Sequence, residues 1–238
     1  MKKIILVGRG KLGADIFSHL KSDNNISSIT KESQWESNIN VDINKDKIDF
    51  ICDTLIICLP PLAIKTHFLD LVKKSVELKQ ITRIILISSI GIYDKKNIIN
   101  ENSSLNCTHP LYAIEQTINQ LQVPITILRL GGLFNENRHP GYYVSGKSLH
   151  FSKQRINLIH HQDICTFIKV IIKNQTLGVF NLVYPYWPSK EDYYKEFCSF
   201  NNLALPLADG KIKVENKVLS DKSLKISNFQ FSYHPKFW

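Results

Sequence analysis

The chain has 238 residues, of which 43% are hydrophobic and 21% charged, enough apolar material for a full core and no bias toward a disordered or fibrous class. Its formal net charge of +9 raises a polyanion as a partner, but the lysines are scattered beside acids, as in NKDKID and SKEDYYKE, with no basic arm, so nucleic-acid binding is not expected. Five cysteines, Cys52, Cys58, Cys107, Cys165 and Cys198, form no C-x-x-C pair, and neither MKKIILV nor any later run is apolar for long enough to be a signal or a membrane span, so a cytoplasmic protein without disulfides, zinc or membrane association is expected.

In chain order, KIILV reads as a short buried strand and LGADIFSHLKS as a helix with apolar residues at helical spacing. ISSIT is a second strand, NINVDI a weaker third, TLIICL a fourth and RIILISS a fifth; between the last two, Ile64, Phe68, Leu69, Val72 and Val76 mark one face of a helix. A helix near residues 110–121 and the strand PITILRL follow. GGLFNENRHPGYYVSGK reads as a long loop, RINLIH as another strand, DICTFIKVIIK as a helix with Asp163 at its N-cap, and VFNLV as a further strand. Ser189 and Asp192 resemble a capping box before an aromatic-faced helix, and residues 211–238 show no clear period. The expectation is a Rossmann-like α/β fold, a doubly wound parallel sheet with helices on both faces. Residues 1–130 form the dinucleotide-binding core, and residues 131–238 supply its remaining elements, about 155–185, interleaved with a small C-terminal substrate lobe.

LVGRGKLGADIF carries Gly8, Gly10 and Gly13 as G-x-G-x-x-G between a strand and a helix, the context that this fingerprint requires. Gly8 would permit the tight turn, Gly10 the approach of a pyrophosphate, and Gly13 close packing of the helix, whose first N–H groups, with Lys11 and Leu12 in that turn, face the phosphates. Arg9 and Lys11 would add positive charge. Lys31 is the first charged residue after the second strand and would meet the 2′-phosphate of NADP with help from Arg9, whereas Glu32 beside it keeps NAD as the alternative.

LISSIGIYD at residues 86–94 resembles the S-S-x-x-V-Y-G segment of extended short-chain dehydrogenases/reductases, the epimerase/dehydratase superfamily. TLIICLPP, ITILRLGGLF, RINLIHHQDIC and GVFNLV are similar, in order, to further pieces of that pattern, and the tail NKVLSDKSLKISNFQFSYHPKFW to its compact, YeeZ-like members. The resemblance implies an NAD(P)-dependent oxidoreductase or epimerase-like enzyme for a small polar, sugar-like or nucleotide-linked substrate, with a homodimer allowed. Leu59, Pro60 and Ser88 would line the cofactor, and Ser89 and Tyr112 would face the substrate. The Tyr-x-x-x-Lys pair of the family is broken. Tyr112 is followed four residues on by Gln116, and if Glu115 is aligned instead with the acid that commonly follows the lysine, Cys107 and Leu111 occupy the two positions. A neutral glutamine cannot lower a phenol pKa, so a non-catalytic dinucleotide sensor stands beside the enzyme reading.

The loop residues Arg138, His139, Tyr142 and Tyr143 fall where the family binds substrate, and a tyrosine there could replace the missing acid. His160, His161 and Asp163 resemble a metal cluster but are read as strand-end and cap residues; Tyr184, Tyr186 and Trp187 are read as packing.

Overall fold

The structure is a computed structural model that describes residues 1–31, 37–135 and 139–236. Its elements begin with β1 (Lys3–Val7), α1 (Lys11–Leu20), β2 (Asn25–Thr30), β3 (Asn38–Asn40), β4 (Thr54–Ile57), α2 (Thr66–Glu77) and β5 (Ile84–Ser89). Then come β6 (Ile98–Ile99), α3 (Pro110–Asn119), β7 (Ile125–Leu130), β8 (Gly132–Phe134), α4 (Gly141–Val144), β9 (Ser148–Leu149), β10 (Leu158–His160) and α5 (His161–Asn174). The chain closes with β11 (Gly178–Leu182), α6 (Lys190–Phe200), β12 (Leu207–Ala208), β13 (Lys217–Val218) and α7 (Asp221–Leu224).

Seven strands form the main sheet in the order β11-β7-β5-β4-β1-β2-β3, the Rossmann-like α/β architecture. β1 pairs in parallel with β2 on one side (Ile4 opposite Ile26) and with β4 on the other (Ile4 opposite Thr54). Ile4, Leu6, Leu55, Ile56, Ile84, Ile85 and Leu86 are all fully buried, which is why these strands read as unbroken apolar runs rather than alternating ones. The strand order reverses between β1 and β4, so the connections that follow their carboxyl ends run in opposite directions and leave a crevice there.

The chain divides into two compact units. The first comprises Met1–Ile92, Leu105–Arg129 and Cys165–Phe180, and the second Tyr93–Ser104, Leu130–Ile164 and the residues from Asn181 onward. The second unit holds three two-stranded parallel pairs, β8–β10, β9–β12 and β6–β13, and a core of Phe134, Ile156, Leu158 and Tyr193. Ser189 caps α6 as its sequence suggests, its Oγ accepting the Asp192 N–H at 3.0 Å.

Two sequence expectations are corrected. Residues 131–147, read as one loop, contain β8 and α4. Their Gly, Asn and Pro content hides elements that packing stabilises: β8 pairs with β10, and a Cβ on Gly141 would lie 2.1 Å from the Phe197 ring, so α4 sits directly against α6. Asp163 is not an N-cap. The helix starts two residues earlier, at His161, and the carboxylate instead accepts the Ser232 and Tyr233 N–H groups at 2.9 and 3.3 Å, tying down the C-terminal segment.

Candidate functional site

The chain leaves β1 at Val7 and turns at Gly8, whose φ of +93° is rarely open to a side-chain-bearing residue. A Cβ on Gly8 would stand 2.2 Å from the Cys58 carbonyl oxygen just beyond β4, and a Cβ on Gly13 would stand 2.2 Å from the Gly8 carbonyl oxygen. The fold therefore demands both glycines for its own packing. Gly10 differs: its backbone is extended, and a Cβ there would meet nothing within 4 Å. It serves as the N-cap of α1 without a capping side chain, so the first-turn N–H groups of α1 face open space that the protein does not fill. Unpaired N–H groups, the positive end of the helix dipole and room for a ligand are what a pyrophosphate requires.

Beside this turn lies a cavity of about 430 Å³, in the crevice at the carboxyl ends of β1, β2 and β4, with Gly8, Ile29, Lys31, Asn44, Leu59 and Lys65 in its wall. Asn44 Nδ2 donates to the Ala63 carbonyl at 3.0 Å and joins two sides of that wall, while its Oδ1 is buried without a partner. Lys31 Nζ lies 3.0 Å from Asp42 Oδ2 at the rim. The lysine first, and then the Asn44 N–H, hold the Asp42 carboxyl below its usual range. Glu32, the residue that would favour NAD, lies outside the described residues.

The remaining cofactor candidates divide. Leu59 lines the cavity; Pro60 is exposed and caps the short turn at Pro61–Ala63. Lys11 is exposed and Leu12 buried in the first turn of α1. Arg9 is buried: its guanidinium carbon sits 3.5 Å from the Phe17 ring centroid, and Nη1 donates to Ser28 Oγ on β2 at 3.2 Å. Its charge is thus lodged on the β2 side of the turn. Ser88 spends its hydroxyl on Glu115 Oε1 at 2.6 Å, so only its main chain can line a cofactor. Cys58, packed behind Gly13, is pushed up to about 12 by burial and stays a neutral thiol.

Glu115 fixes how α3 sits. It is fully buried and accepts from Ser88 and from Arg129 Nε and Nη2 at 3.1 and 2.6 Å, so a carboxylate on α3 joins the ends of two neighbouring sheet strands. Leu111, four residues earlier on the same face, is buried as well. Tyr112 and Gln116 fall on the adjoining face, half-buried and exposed respectively.

Ser89, at the end of β5, has a neighbour that sequence reading missed. Its Oγ accepts the Gly91 N–H at 3.1 Å and keeps its own proton free to donate. A Cβ on exposed Gly91 would lie 3.3 Å from both Ser89 Oγ and His109 Nε2, so these two polar atoms flank one spot. His109 is the N-cap of α3, and its Nδ1 accepts the Leu111 N–H at 3.2 Å. With Nδ1 accepting, the ring proton of the neutral form lies on Nε2, so Ser89 Oγ–H and His109 Nε2–H are two donors beside exposed Gly91. The only sequence signal is a polar residue before Pro110 at a helix start.

In the second unit several of the other candidates are engaged in packing and hydrogen bonds. His139 is buried; its Nδ1 accepts the Gly141 N–H at 3.0 Å, its Nε2 lies 2.7 Å from Tyr193 Oη, and that hydroxyl donates to the Pro235 carbonyl at 2.9 Å. Burial brings the His139 pKa down to about 4, so the ring is neutral. Tyr142 and Tyr143 are half-exposed on α4, with Tyr142 edge-on to Phe197; Arg138 lies outside the described residues. His160 stacks on Tyr233 at 4.1 Å, and among the described residues no group of three His, Cys, Asp or Glu could hold a metal. Tyr184 and Tyr186 pack on His234, and Trp187 Nε1 donates to the Val218 carbonyl. No helix among the described residues is long and apolar enough to cross a membrane.

No family model matches the chain. It is 25% identical to the protein YeeZ of Escherichia coli K12 over 249 aligned residues, covering 90% of this chain and 91% of YeeZ. Among solved structures it resembles the Bordetella bronchiseptica enzyme WbmG in complex with NAD and UDP, with a TM-score of 0.79 and 15% identity over 98% of this chain and 90% of that one. It also resembles the human epimerase family protein SDR39U1 with NADPH, with a TM-score of 0.71 and 14% identity over 97% and 95%.

Proposed function

We propose that this chain, an extended short-chain dehydrogenase/reductase-like protein similar to YeeZ, binds a nicotinamide dinucleotide in the crevice between β1 and β4 and acts as an oxidoreductase or epimerase-like enzyme. Its substrate is a small polar molecule, sugar-like or nucleotide-linked. The observation that carries the reading is the contrast among the three glycines: packing requires Gly8 and Gly13, whereas Gly10 is bare against open space at a helix N-terminus. The adjoining cavity of about 430 Å³ has the size and the mixed apolar and cationic wall that suit an adenosine.

In this reading the first-turn N–H groups of α1 hold the pyrophosphate, and Leu59 and Ile29 enclose the adenosine. Lys31 stands at its ribose, where a cation favours NADP over NAD. A bound nicotinamide supplies or takes up a hydride. Ser89 Oγ–H and His109 Nε2–H bind one substrate oxygen and stabilise negative charge that develops on it. Because His109 Nδ1 accepts the Leu111 N–H, it is the Nε2–H that the ring presents to a ligand. Tyr112, on the adjoining face of α3, is the candidate acid.

A second reading draws support from α3 itself. If Glu115, buried against Ser88 and Arg129, is aligned with the acid that commonly follows the family lysine, Leu111 takes the lysine position, no cation adjoins a phenol there, and a protein that binds the dinucleotide without turnover senses it instead. Titration with NADPH followed by its fluorescence, and then a panel of carbonyl compounds and sugar nucleotides, separates the two. Turnover supports the enzyme, binding without any turnover supports the sensor, and absence of binding overturns both.

A further inference from the structure

At the rim of the adenosine cavity Lys31, a cation placed to meet a 2′-phosphate, is already engaged. Lys31 Nζ sits 3.0 Å from Asp42 Oδ2; the lysine side chain is 67% exposed and the aspartate 19%. The aspartate is held rigidly. Its Oδ1 accepts the Asn44 N–H at 3.1 Å, its own N–H donates to Asp46 Oδ2 at 2.8 Å, and its carbonyl accepts the Lys45 and Asp46 N–H groups at 2.9 and 2.8 Å. Its neighbours Val41, Ile43 and Asn44 belong to the cavity wall, so the carboxylate is fixed to the frame of the site while Lys31 is the exposed, adjustable member.

We propose that Asp42 is the residue that limits how strongly this site distinguishes NADP(H) from NAD(H), by competing with the 2′-phosphate for Lys31. A 2′-phosphate has to draw Lys31 away from a carboxylate that cannot follow and then lie beside that like charge. A 2′-hydroxyl pays no such penalty, because it can accept from Lys31 or donate to Asp42 with the pair intact. A lone lysine here would select NADP(H) sharply; the pair makes the preference modest and keeps NAD(H) as a ligand. Lys65, also in the wall, gives the phosphate a second cation, which leaves the balance on the NADP(H) side.

This inference rests on the dinucleotide reading above, and the test separates the two. Dissociation constants for NADPH and NADH are measured by fluorescence for the full chain, for Asp42→Asn, which keeps an oxygen for the Asn44 N–H, and for Lys31→Gln, a change at an exposed side chain. The readout is the ratio of the two constants, in which any general damage to the site cancels. Asp42→Asn should widen the ratio in favour of NADPH about three- to fivefold, and Lys31→Gln should bring it close to one, the scale of an exposed ion pair. If both ligands bind and Asp42→Asn leaves the ratio within about twofold of the unaltered chain, the role of Asp42 is overturned and the dinucleotide reading stands. If neither ligand binds the unaltered chain, the dinucleotide reading fails and this inference falls with it.

Discussion

An aspartate at Gly10 should separate the needs of the fold from those of the ligand. The backbone there is extended, a side chain would meet no atom within 4 Å, and the position caps α1 without a capping group. Asp is among the best N-caps and complements the helix dipole, so Gly10→Asp should leave stability unchanged or raise it by about 0.5 kcal/mol. In a chain of this length that is roughly 1–2 °C in the unfolding midpoint. The same carboxylate would lie about 4 Å from a pyrophosphate over the helix N-terminus; at an effective dielectric of about 20 the repulsion is about 4 kcal/mol, close to a thousandfold in Kd. Thermal unfolding and NADPH titration on one preparation give both numbers. Gly13→Ala is the control: its Cβ would stand 2.2 Å from a main-chain oxygen that cannot yield cheaply, so it should cost about 3 kcal/mol of stability. A Gly10→Asp protein that binds NADPH as tightly as the unaltered chain refutes the cradle, and one that unfolds as Gly13→Ala does refutes the claim that the fold leaves Gly10 free.

The buried Glu115–Arg129 pair gives a second expectation: Glu115→Gln leaves a buried guanidinium without its counter-charge and should cost about 3–5 kcal/mol in denaturant unfolding; a loss below about 1 kcal/mol would mean that the network does not anchor α3. His139 sets an acid limit. Its folded pKa of about 4 lies below the ordinary histidine value of 6.5, so its contribution is full above pH 6.5 and declines as the pH falls toward 4. The loss approaches about 3 kcal/mol, and a His139→Gln protein should show a flatter stability profile over that window. For any substrate that is turned over, Ser89→Ala should lower kcat about a hundredfold with the NADPH Kd unchanged, and a parallel loss of cofactor binding would count against its substrate-facing role.

The turn around Gly8, the seven main strands and the α6 cap are legible in the sequence because each rests on a local pattern: glycine spacing, continuous apolar runs, and Ser189 with Asp192. What the sequence hides depends on partners far along the chain. Asp163 looks like a cap because nothing local announces that its carboxylate is taken by N–H groups some 69 and 70 residues away. β8 is invisible in a glycine- and asparagine-rich stretch because its stability comes from β10. The Ser88 hydroxyl looks free to donate to a cofactor until Glu115 is seen to take its proton. The pairing of Lys31 with Asp42 and the approach of His109 to Ser89 link residues 11 and 20 positions apart, without any shared motif.

Whether the β1–α1 turn and the cavity beside it receive a dinucleotide is decided by a structure of the protein crystallised with NADPH. The pyrophosphate should lie over Gly10 at the α1 N-terminus, the adenosine within the cavity that Lys31 and Leu59 line, and the nicotinamide toward Ser89. A dinucleotide bound elsewhere, with the space over Gly10 left to solvent, would contradict that placement.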